Sequence, residues 1–346
     1  MRYGVWTPLP HTIRPEPAMN DAMRESAVRG LANGPDKAFT FAVDLIRRAE
    51  ELGYETTLVA ERWMGTDHPA WMLMSALAAL THKIELMVAV HPGILNPQVV
   101  AKFAASLDRI SGGRAALNIV NGWWKEEFDT FSNGRLEKSE EERYRRMDEF
   151  MQVVRGLWLQ EKLDFHGEFY TVDNQGLPLK TVQLPNPPIY AASRHDPGKD
   201  VIARNCDHWF VDYVPDRREW RSNVDRIAAD TADMRARAAA HGRNIDFGMS
   251  CHVICTDTME EAERTASALE DYGKTNNLAF ICAKAMGSGL VGTPEVIAER
   301  IELFEAAGVG TLMMHFHPMY ESMETFAHRI MPLVRKQTAS VAQDGR

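Results

Sequence analysis

The chain has 346 residues, of which 45% are hydrophobic, and a formal net charge of −9 at pH 7. This length and composition indicate a globular protein with a large core, and the acidic balance argues against binding of nucleic acid or anionic lipid. No apolar run approaches the roughly 18 residues of a membrane span. The four cysteines form no CxxC pair, and the chain starts on a strand-like run without a signal-peptide pattern. These features predict a reduced, cytoplasmic protein.

Short apolar runs alternate with amphipathic segments along the chain. The apolar runs predict strands at Tyr3–Thr7, Glu55–Glu61, Ile84–His91, Ala115–Val120, Pro188–Ala192, Trp209–Tyr213, Asp246–Cys255 and Thr311–His315. Apolar residues at helical spacing predict helices at Ala38–Leu52, Trp71–Leu80, Gln98–Ile110, Glu137–Leu159, Gly198–Asn205, Arg217–His241, Met259–Tyr272, Pro294–Ala307 and Ser322–Arg335.

Eight strands that alternate with helices predict an α/β fold, a (β/α)8 TIM barrel, with a doubly wound parallel sheet as the alternative. Because no composition break marks a linker, we expect a single domain over residues 1–346, with residues 337–346 as a flexible tail. Residues 9–35, 124–136 and 273–292 are longer than ordinary connections. We expect these three segments to be insertions at the carboxyl-terminal face of the barrel, where ligands bind.

The stretch from Leu107 to Trp123 joins a helix to a strand and ends in a polar loop. Ser111-Gly112-Gly113 predicts the helix end, because glycine adopts positive φ without steric cost. The following run, Ala115–Val120, is typical of a parallel strand that is buried on both faces, except for Asn118. A buried amide needs partners, so Asn118 either satisfies neighbouring backbone groups or faces a ligand.

Polar side chains recur at the ends of the predicted strands. They include His11, Glu61, Arg62, His91, Asn118, Ser193, Arg194, His252 and His317. A structural hydrogen bond explains any one of them, but their gathering at one barrel mouth favours a site. Ala191-Ala192-Ser193-Arg194 precedes a predicted helix, and a hydroxyl, a guanidinium and a helix N-terminus together can bind a phosphate. An ordinary loop explains that short segment equally well.

Other catalytic patterns are weak in this sequence. GxSxG, P-loop and GxGxxG motifs do not occur between a strand and a helix, which argues against hydrolase, NTPase and Rossmann functions. His315 and His317 lie on one face of the last predicted strand and raise the alternative of a metal-dependent hydrolase. No acidic residue lies close to them in sequence and the HEXXH pattern is missing, so we predict no metal.

Over nearly its whole length the chain resembles the bacterial luciferase-like flavin monooxygenases. The most specific motifs are Asp108–Arg114 running into Asn118–Trp123, and Glu142–Tyr144 in the long helix. His91–Pro97, Leu290–Pro294 and Pro332–Val334 support them. They match the branch that contains the dimethyl sulfone and alkanesulfonate monooxygenases and the pyrimidine oxygenases, and Glu127-Phe128 favours the sulfone enzymes.

The resemblance implies a TIM barrel that takes reduced FMN from a separate NAD(P)H-dependent flavin reductase and uses O2 as co-substrate. It implies FMN contacts at Glu61, Arg62, Asn118, Glu127, Arg143, Tyr144 and Ser193. We add Arg194 for the phosphate. Catalytic roles in holding or protonating the substrate are implied for His11, His252 and His317. A homodimer or homotetramer is a further implication of the family.

The function that the resemblance implies is monooxygenation of a small organosulfur compound, a sulfone or an alkanesulfonate, with oxidative cleavage of a C–S bond. The same chemistry on a nitrogen heterocycle, and flavin binding without catalysis, are the alternatives. Two departures weaken the substrate assignment. Residues 63–68 lack the cysteine of the alkanesulfonate enzymes, and the segment 273–292 contains Lys274 and Lys284 but no arginine.

Overall fold

The structure is a computed structural model, and it describes residues 1–7, 37–64, 68–122, 124–132, 139–275 and 284–334. The predicted site residue His11, the segment 9–35 and the tail 337–346 lie outside the described residues, as do parts of the segments 124–136 and 273–292. In these ranges, none of the helices combines the length and apolarity needed to cross a membrane.

The described strands form a closed barrel. In chain order the strands are β1 (Arg2–Trp6), β2 (Thr56–Val59), β3 (Glu85–Val90), β4 (Ala115–Ile119), β5 (Leu163–His166), β6 (Thr171–Gln175), β7 (Ile189–Ala191), β8 (His208–Phe210), β9 (Asp246–Cys255), β10 (Val291–Gly292) and β11 (Thr311–Phe316). Eight of them pair in parallel in the order β1-β2-β3-β4-β7-β8-β9-β11, and β11 pairs back onto β1. The predicted TIM barrel is therefore confirmed, and the alternative of an open, doubly wound sheet is wrong.

The helices pack around the outside of the barrel. They are α1 (Lys37–Glu51), α2 (Ala70–Leu80), α3 (Pro97–Ser111), α4 (Lys125–Phe131), α5 (Glu140–Leu159), α6 (Asp196–Asn205), α7 (Trp220–Ala240), α8 (Met259–Thr275), α9 (Pro294–Ala306) and α10 (Met319–Thr325). The predicted helices begin within three residues of their observed starts. Periodic apolar positions located them because burial against the barrel is what stabilises these helices.

Inward-facing side chains fill the barrel in layers. Leu58, Met87, Ala116, Tyr190 and Met313 pack together with Phe210 in one buried cluster. Because side chains alternate along a strand, the residue two positions nearer the carboxyl end faces the interior one layer higher. Asn118 therefore lies above Ala116, and His315 lies above Met313.

A polar group closes the barrel at the amino ends of its strands. We call Arg2, Thr56, Glu85, Tyr190 and His208 the amino-end cluster. Arg2 Nη1 donates to the Tyr190 hydroxyl at 3.1 Å, and that hydroxyl donates to Glu85 Oε1 at 3.2 Å. The Thr56 hydroxyl donates to the same carboxylate at 3.0 Å, and the ring of His208 stacks on Tyr190 with centroids 4.0 Å apart. These mutual contacts leave the carboxyl end of the barrel as the mouth in which to seek a site.

The Asp108–Arg114 motif has a structural role in the fold. Gly112 and Gly113 both have positive φ at the C-terminus of α3, as their sequence predicted. The buried Asp108 carboxylate accepts from the backbone N–H groups of Val182 and Gln183, which fixes the approach to β7. Arg114 donates to carbonyl oxygens at the end of α2 and before β3.

Several short elements were not predicted. They are the β5–β6 hairpin, helix α4, strand β10 and the 3-10 helix Lys284–Ser288. The hairpin is mostly exposed, so its strands lack the apolar alternation that reveals a half-buried strand. Helix α4 has seven residues and strand β10 has two, which is too short for a periodic pattern.

Candidate active site

Asn118 faces the interior of the barrel near its mouth. In the strand register it lies opposite Ala89 of β3 and Tyr190 of β7, and its side chain is on the same face of β4 as Ala116. The residue is 8% exposed. An amide in this position offers two donors and an acceptor to a group bound within the mouth.

Tyr144 and Ser193 form a buried pair of hydroxyl groups, which we call the hydroxyl pair. Their oxygens are 2.7 Å apart although the residues are separated by 49 positions in sequence. Gly198, in the first turn of α6, makes room for them. A methyl group at Gly198 would lie 2.2 Å from Ser193 Oγ and 2.5 Å from the Tyr144 ring.

The hydroxyl pair lies beside the N-terminus of α6. Ser193 Oγ accepts from the backbone N–H of His195, the N-cap residue, at 3.1 Å. The His195 side chain does not cap the helix. It contacts Glu140, with His195 Nε2 3.4 Å from Glu140 Oε1. A helix N-terminus carries partial positive charge, so two hydroxyl groups beside it match the chemistry of a phosphate group.

The two predicted arginines of this region differ in their surroundings. Arg143 immediately precedes Tyr144 on α5 and is half-buried. Arg194 has a side chain that is 63% exposed, and its Nε lies 3.5 Å from Asp212 Oδ2, beyond the end of β8. Arg194 thus contacts a carboxylate that follows the neighbouring strand. That Arg194 binds the phosphate stays a prediction.

Two buried carboxylates and a histidine lie together on another side of the mouth. We call Glu61, Arg62, His91 and Glu127 the carboxylate cluster. Glu61 Oε2 accepts from the backbone N–H of Ala70 at 3.1 Å, which helps to cap α2. Glu127, on α4, has Oε2 3.7 Å from His91 Nδ1. The side chains of Glu61, His91 and Glu127 are all buried.

Burial favours the uncharged forms in this cluster. Desolvation raises the pKa of Glu61 to about 7, and the nearby charge of Glu127 acts in the same direction. Desolvation also raises the pKa of Glu127, against backbone N–H groups and Arg62, which lower it. The pKa of His91 falls to about 4 because its buried ring disfavours the imidazolium form.

Three rings stack along the interior faces of β1, β11 and β9. In the three-ring stack, Trp6 and His315 have centroids 5.1 Å apart at an interplanar angle of 17°, and His315 and His252 have centroids 6.0 Å apart at 23°. Trp6 Nε1 donates to Ser250 Oγ at 3.2 Å, and Ser250 Oγ is 3.4 Å from His315 Nε2. His252, predicted to be catalytic, is therefore held within an organised polar wall.

His317 lies just beyond the end of β11 and is half-buried. Its carbonyl oxygen accepts from the Ser322 hydroxyl at 2.9 Å, which ties the strand end to α10. In the described part of the chain, no group of three or more His, Cys, Asp and Glu residues lies close enough together to hold a metal ion.

Comparison with known proteins identifies the family. The family model described as luciferase-like monooxygenase matches residues 1–311. The chain belongs to this family. Two curated relatives of this luciferase-like monooxygenase are 32% identical to it, and both are named FMNH2-dependent dimethylsulfone monooxygenase. The protein from Pseudomonas putida aligns over 84% of this chain and 87% of its own length, and that from Pseudomonas fluorescens over 87% and 88%.

Solved structures of low sequence identity share the fold of this luciferase-like monooxygenase. A monooxygenase from Streptomyces bottropensis superposes with a TM-score of 0.73 at 22% identity, over 96% of this chain and 99% of that chain. The EDTA monooxygenase from Chelativorans sp. superposes with a TM-score of 0.74 at 17% identity, over 97% and 94%. The predicted family, the barrel and the assignment as a monooxygenase enzyme are thereby confirmed.

Sequence reasoning missed part of the mouth of this luciferase-like monooxygenase. Ser250 was not singled out, and His315 was considered only as a metal ligand. A signal was present, because polar residues at positions 250, 252, 315 and 317 alternate with apolar ones on two strands. The contacts of Gly198 with the hydroxyl pair had no such signal, since they depend on how α5 and α6 pack.

Proposed function

We propose that this luciferase-like monooxygenase acts with reduced FMN and O2, and that a separate NAD(P)H-dependent flavin reductase supplies the FMNH2. The names of the two curated relatives support reduced FMN as the cofactor. The observation that carries the proposal is the hydroxyl pair, Tyr144 and Ser193, beside the N-terminus of α6. These groups are suited to the phosphate of FMN.

The chemistry of this donor set fits a phosphate monoester. Hydroxyl groups and helix N–H groups donate hydrogen bonds to anionic oxygen, and such bonds to charged groups contribute about 1.5–3 kcal/mol each. Glu140 is 3.4 Å from the Tyr144 hydroxyl and would repel a phosphate, but His195 contacts the same carboxylate. Arg143 and Arg194 are the cations that we expect to balance the phosphate charge.

The mouth also fits the ring of a flavin. The inward-facing amide of Asn118 can pair with a polar ring edge, and we expect the three-ring stack to limit access of water to the ring. Glu61, Arg62 and Glu127 complete the cofactor contacts that we infer. When bound, reduced FMN supplies the electrons that activate O2. The residues of this chain hold the cofactor, exclude water and orient the substrate.

The substrate that we infer is a small organosulfur compound, with a sulfone as the first choice. For dimethyl sulfone the balanced reaction consumes one O2 and one FMNH2 and yields methanesulfinic acid, formaldehyde, water and FMN. A C–S bond breaks, the cleaved carbon is oxidised to the aldehyde, and the flavin is oxidised. His252, His317 and His11 are the side chains that we expect to hold the S–O group or to move a proton.

A product assay tests the reaction. The purified protein is mixed with a flavin reductase, NADH, FMN and air, and formaldehyde and methanesulfinate are quantified with dimethyl sulfone, methanesulfonate or uracil as substrate. Equal amounts of the two products from the sulfone, in excess over reactions without the protein, are expected. Oxidation of uracil instead would reassign the substrate to a nitrogen heterocycle. Tight flavin binding without product from a broad substrate screen would indicate a non-catalytic flavin-binding protein.

A binding comparison tests the phosphate site. Ser193→Ala and Tyr144→Phe are expected to weaken FMN binding about tenfold or more, because each removes a hydrogen bond to an anion. Riboflavin has no phosphate, so its affinity should change by less than about twofold. Ser222→Ala, on α7, is a matched control with its hydroxyl bonded to Glu219. Equal losses for FMN and riboflavin would place the phosphate elsewhere.

A further inference from the structure

His315 occupies the centre of the three-ring stack, between Trp6 and His252. It pairs in register with His252 of β9, and its ring is nearly parallel to both neighbours, at 17° to Trp6 and 23° to His252. It lies on the interior face of β11, one layer above Met313 and on the same face as the strand positions that open into the mouth. Both neighbours therefore restrict the plane of the ring.

The contacts of Ser250 bear on the tautomer of His315. The indole Nε1–H of Trp6 can only donate, so Ser250 Oγ accepts that bond at 3.2 Å. The one hydroxyl proton of Ser250 can then be donated to His315 Nε2, which lies 3.4 Å away. An imidazole that accepts at Nε2 is neutral and carries its proton on Nδ1.

The backbone around Ser250 holds this arrangement in place. The Tyr213 hydroxyl donates to the Ser250 carbonyl oxygen and also contacts the Ala285 carbonyl oxygen at 3.3 Å. Ser250 is paired in register with Met313 on one side of β9. Its position relative to β11 is thus fixed by both the strand ladder and a tyrosine three residues beyond β8.

We propose that the Ser250 hydroxyl donates to His315 Nε2 and that His315 binds the substrate through its Nδ1–H, which donates a hydrogen bond to a neutral acceptor oxygen such as that of a sulfone. Ser250 and Trp6 are then positioning residues. This rests on the proposed function for the identity of the oxygen. In this arrangement the relay Trp6–Ser250–His315 offers the substrate a hydrogen-bond donor without a formal charge. It therefore selects for substrates whose oxygen accepts a hydrogen bond.

The tautomer is measured on the protein without flavin or substrate. Long-range ¹H–¹⁵N spectra of histidine-labelled protein are recorded at pH 8, with the His315 signals assigned by their loss in His315→Asn. The expected spectrum shows a protonated Nδ1 and an unprotonated Nε2 for this residue. In Ser250→Ala the two tautomers should mix, and Trp6→Phe should act in the same direction with a smaller effect. A wild-type ring protonated at Nε2 would overturn the proposal, whatever the reaction turns out to be.

The role towards substrate is measured by paired variants in the product assay. Asn places an amide near the Nδ1 position and Gln places one near the Nε2 position. His315→Asn should therefore keep KM for the sulfone within about threefold, whereas His315→Gln should raise it about tenfold, the value of one ordinary hydrogen bond. Equal effects of the two variants on KM would contradict a donor at Nδ1 and indicate a packing role.

Controls distinguish loss of the His315 hydrogen bond from loss of the folded site. FMN affinity should stay within about twofold of wild type in both variants, which shows that the mouth is still formed. His241→Gln changes an exposed histidine at the end of α7 and should change neither the spectrum of His315 nor KM. If wild type turns over no sulfone while the Nδ1–H tautomer is present, the proposed substrate fails and the donor is then tested with the substrate that is found.

Discussion

Glu61 and His91 are both buried in the carboxylate cluster, and burial affects their ionisation in opposite senses. The pKa of Glu61 is raised to about 7, so the folded protein holds a proton there that the unfolded chain releases near pH 4.5. The pKa of His91 is lowered to about 4, so the folded protein lacks a proton that the unfolded chain binds below pH 6.5. The two residues contribute opposite slopes to stability against pH.

Single variants should separate these slopes. Protonated Glu61 stabilises the fold fully below pH 4.5, and the contribution is lost as pH rises to about 7, a total of about 3 kcal/mol. Relative to wild type, Glu61→Gln should therefore gain stability between pH 5 and pH 7. Neutral His91 has the reverse dependence, so His91→Gln should gain stability relative to wild type as pH falls from 6.5 to 4. Urea unfolding of the flavin-free protein at several pH values measures both differences. Parallel curves for wild type and either variant would contradict that assignment.

Gly198 provides a second test at a single position. Alanine is the better helix former by about 0.5–1 kcal/mol, so an exposed helix would be stabilised by the change. At position 198 the added methyl group meets Ser193 Oγ and the Tyr144 ring instead. We expect Gly198→Ala to lower FMN affinity at least tenfold and to leave riboflavin affinity nearly unchanged. Isothermal titration with both ligands measures the contrast. Unchanged FMN affinity would show that the hydroxyl pair does not hold the phosphate.

At the scale of the element, the N-terminal part of α5 supports the phosphate site. Ser139 is its N-cap and accepts from the Glu142 N–H at 3.1 Å. Arg143 and Tyr144 follow within the first turns, so fraying at this end would displace both.

Helix α4 fixes the other side of the mouth. Its Phe128 packs against Gly122, where a methyl group would lie 2.4 Å from the ring.

Removing two helix caps should separate stability from binding. Ser139→Ala removes the α5 cap, and Asn96→Ala removes the α3 cap, in which Asn96 Oδ1 accepts from Gln98 N–H. Each change should lower the free energy of unfolding by about 1 kcal/mol. Only Ser139→Ala should also weaken FMN binding, by about two- to fivefold. Denaturant curves and FMN titrations on both variants test this. Equal FMN affinities of the two variants would show that fraying of α5 does not affect FMN binding.

The sequence predicted elements better than contacts. Apolar runs located the barrel strands because β4 and its neighbours are buried on both faces, and glycines 112 and 113 marked a helix end through backbone conformation. The contact of Tyr144 with Ser193 has no local signal, because it depends on packing of α5 against α6. His315 was misread for the same reason, since only the strand register brings it to Ser250 and His252.

At the scale of the whole molecule, α2 and α3 carry apolar side chains on their outer faces. Met72, Leu80, Val99, Phe103 and Ile110 are exposed, with Met72 and Ile110 each 59% exposed. On α3 the exposed apolar positions 99, 103 and 110 follow helical spacing. The rings of Trp71 and Phe103 have centroids 5.5 Å apart, which joins the two helices. Exposed apolar faces can mark interaction sites, so we expect this surface to be the interface if the predicted homo-oligomer forms.

A charge on this surface should disrupt self-association. We expect the wild-type protein to sediment as a dimer or tetramer, and Phe103→Glu to shift it to the monomer at micromolar concentration. Leu184→Glu is the control, since Leu184 is 90% exposed before β7 and lies outside these helices. Sedimentation velocity measures the three samples. A monomeric wild type, or a Phe103→Glu protein that stays associated, would contradict this surface as the interface.

The amino-end cluster has a consequence for the kinetics of the proposed reaction. Arg2, Glu85 and Tyr190 close the amino end of the barrel. Molecules that pass between the barrel interior and solvent therefore use the carboxyl end. Reduced flavin, substrate and O2 then arrive by the same entrance through which oxidised flavin and products depart. Oxidised FMN must dissociate through that entrance before the next FMNH2 can bind. The turnover rate should therefore depend on the ratio of reduced to oxidised flavin in solution rather than on the total flavin concentration. The activity of the reductase, which keeps this ratio high, then limits the turnover rate.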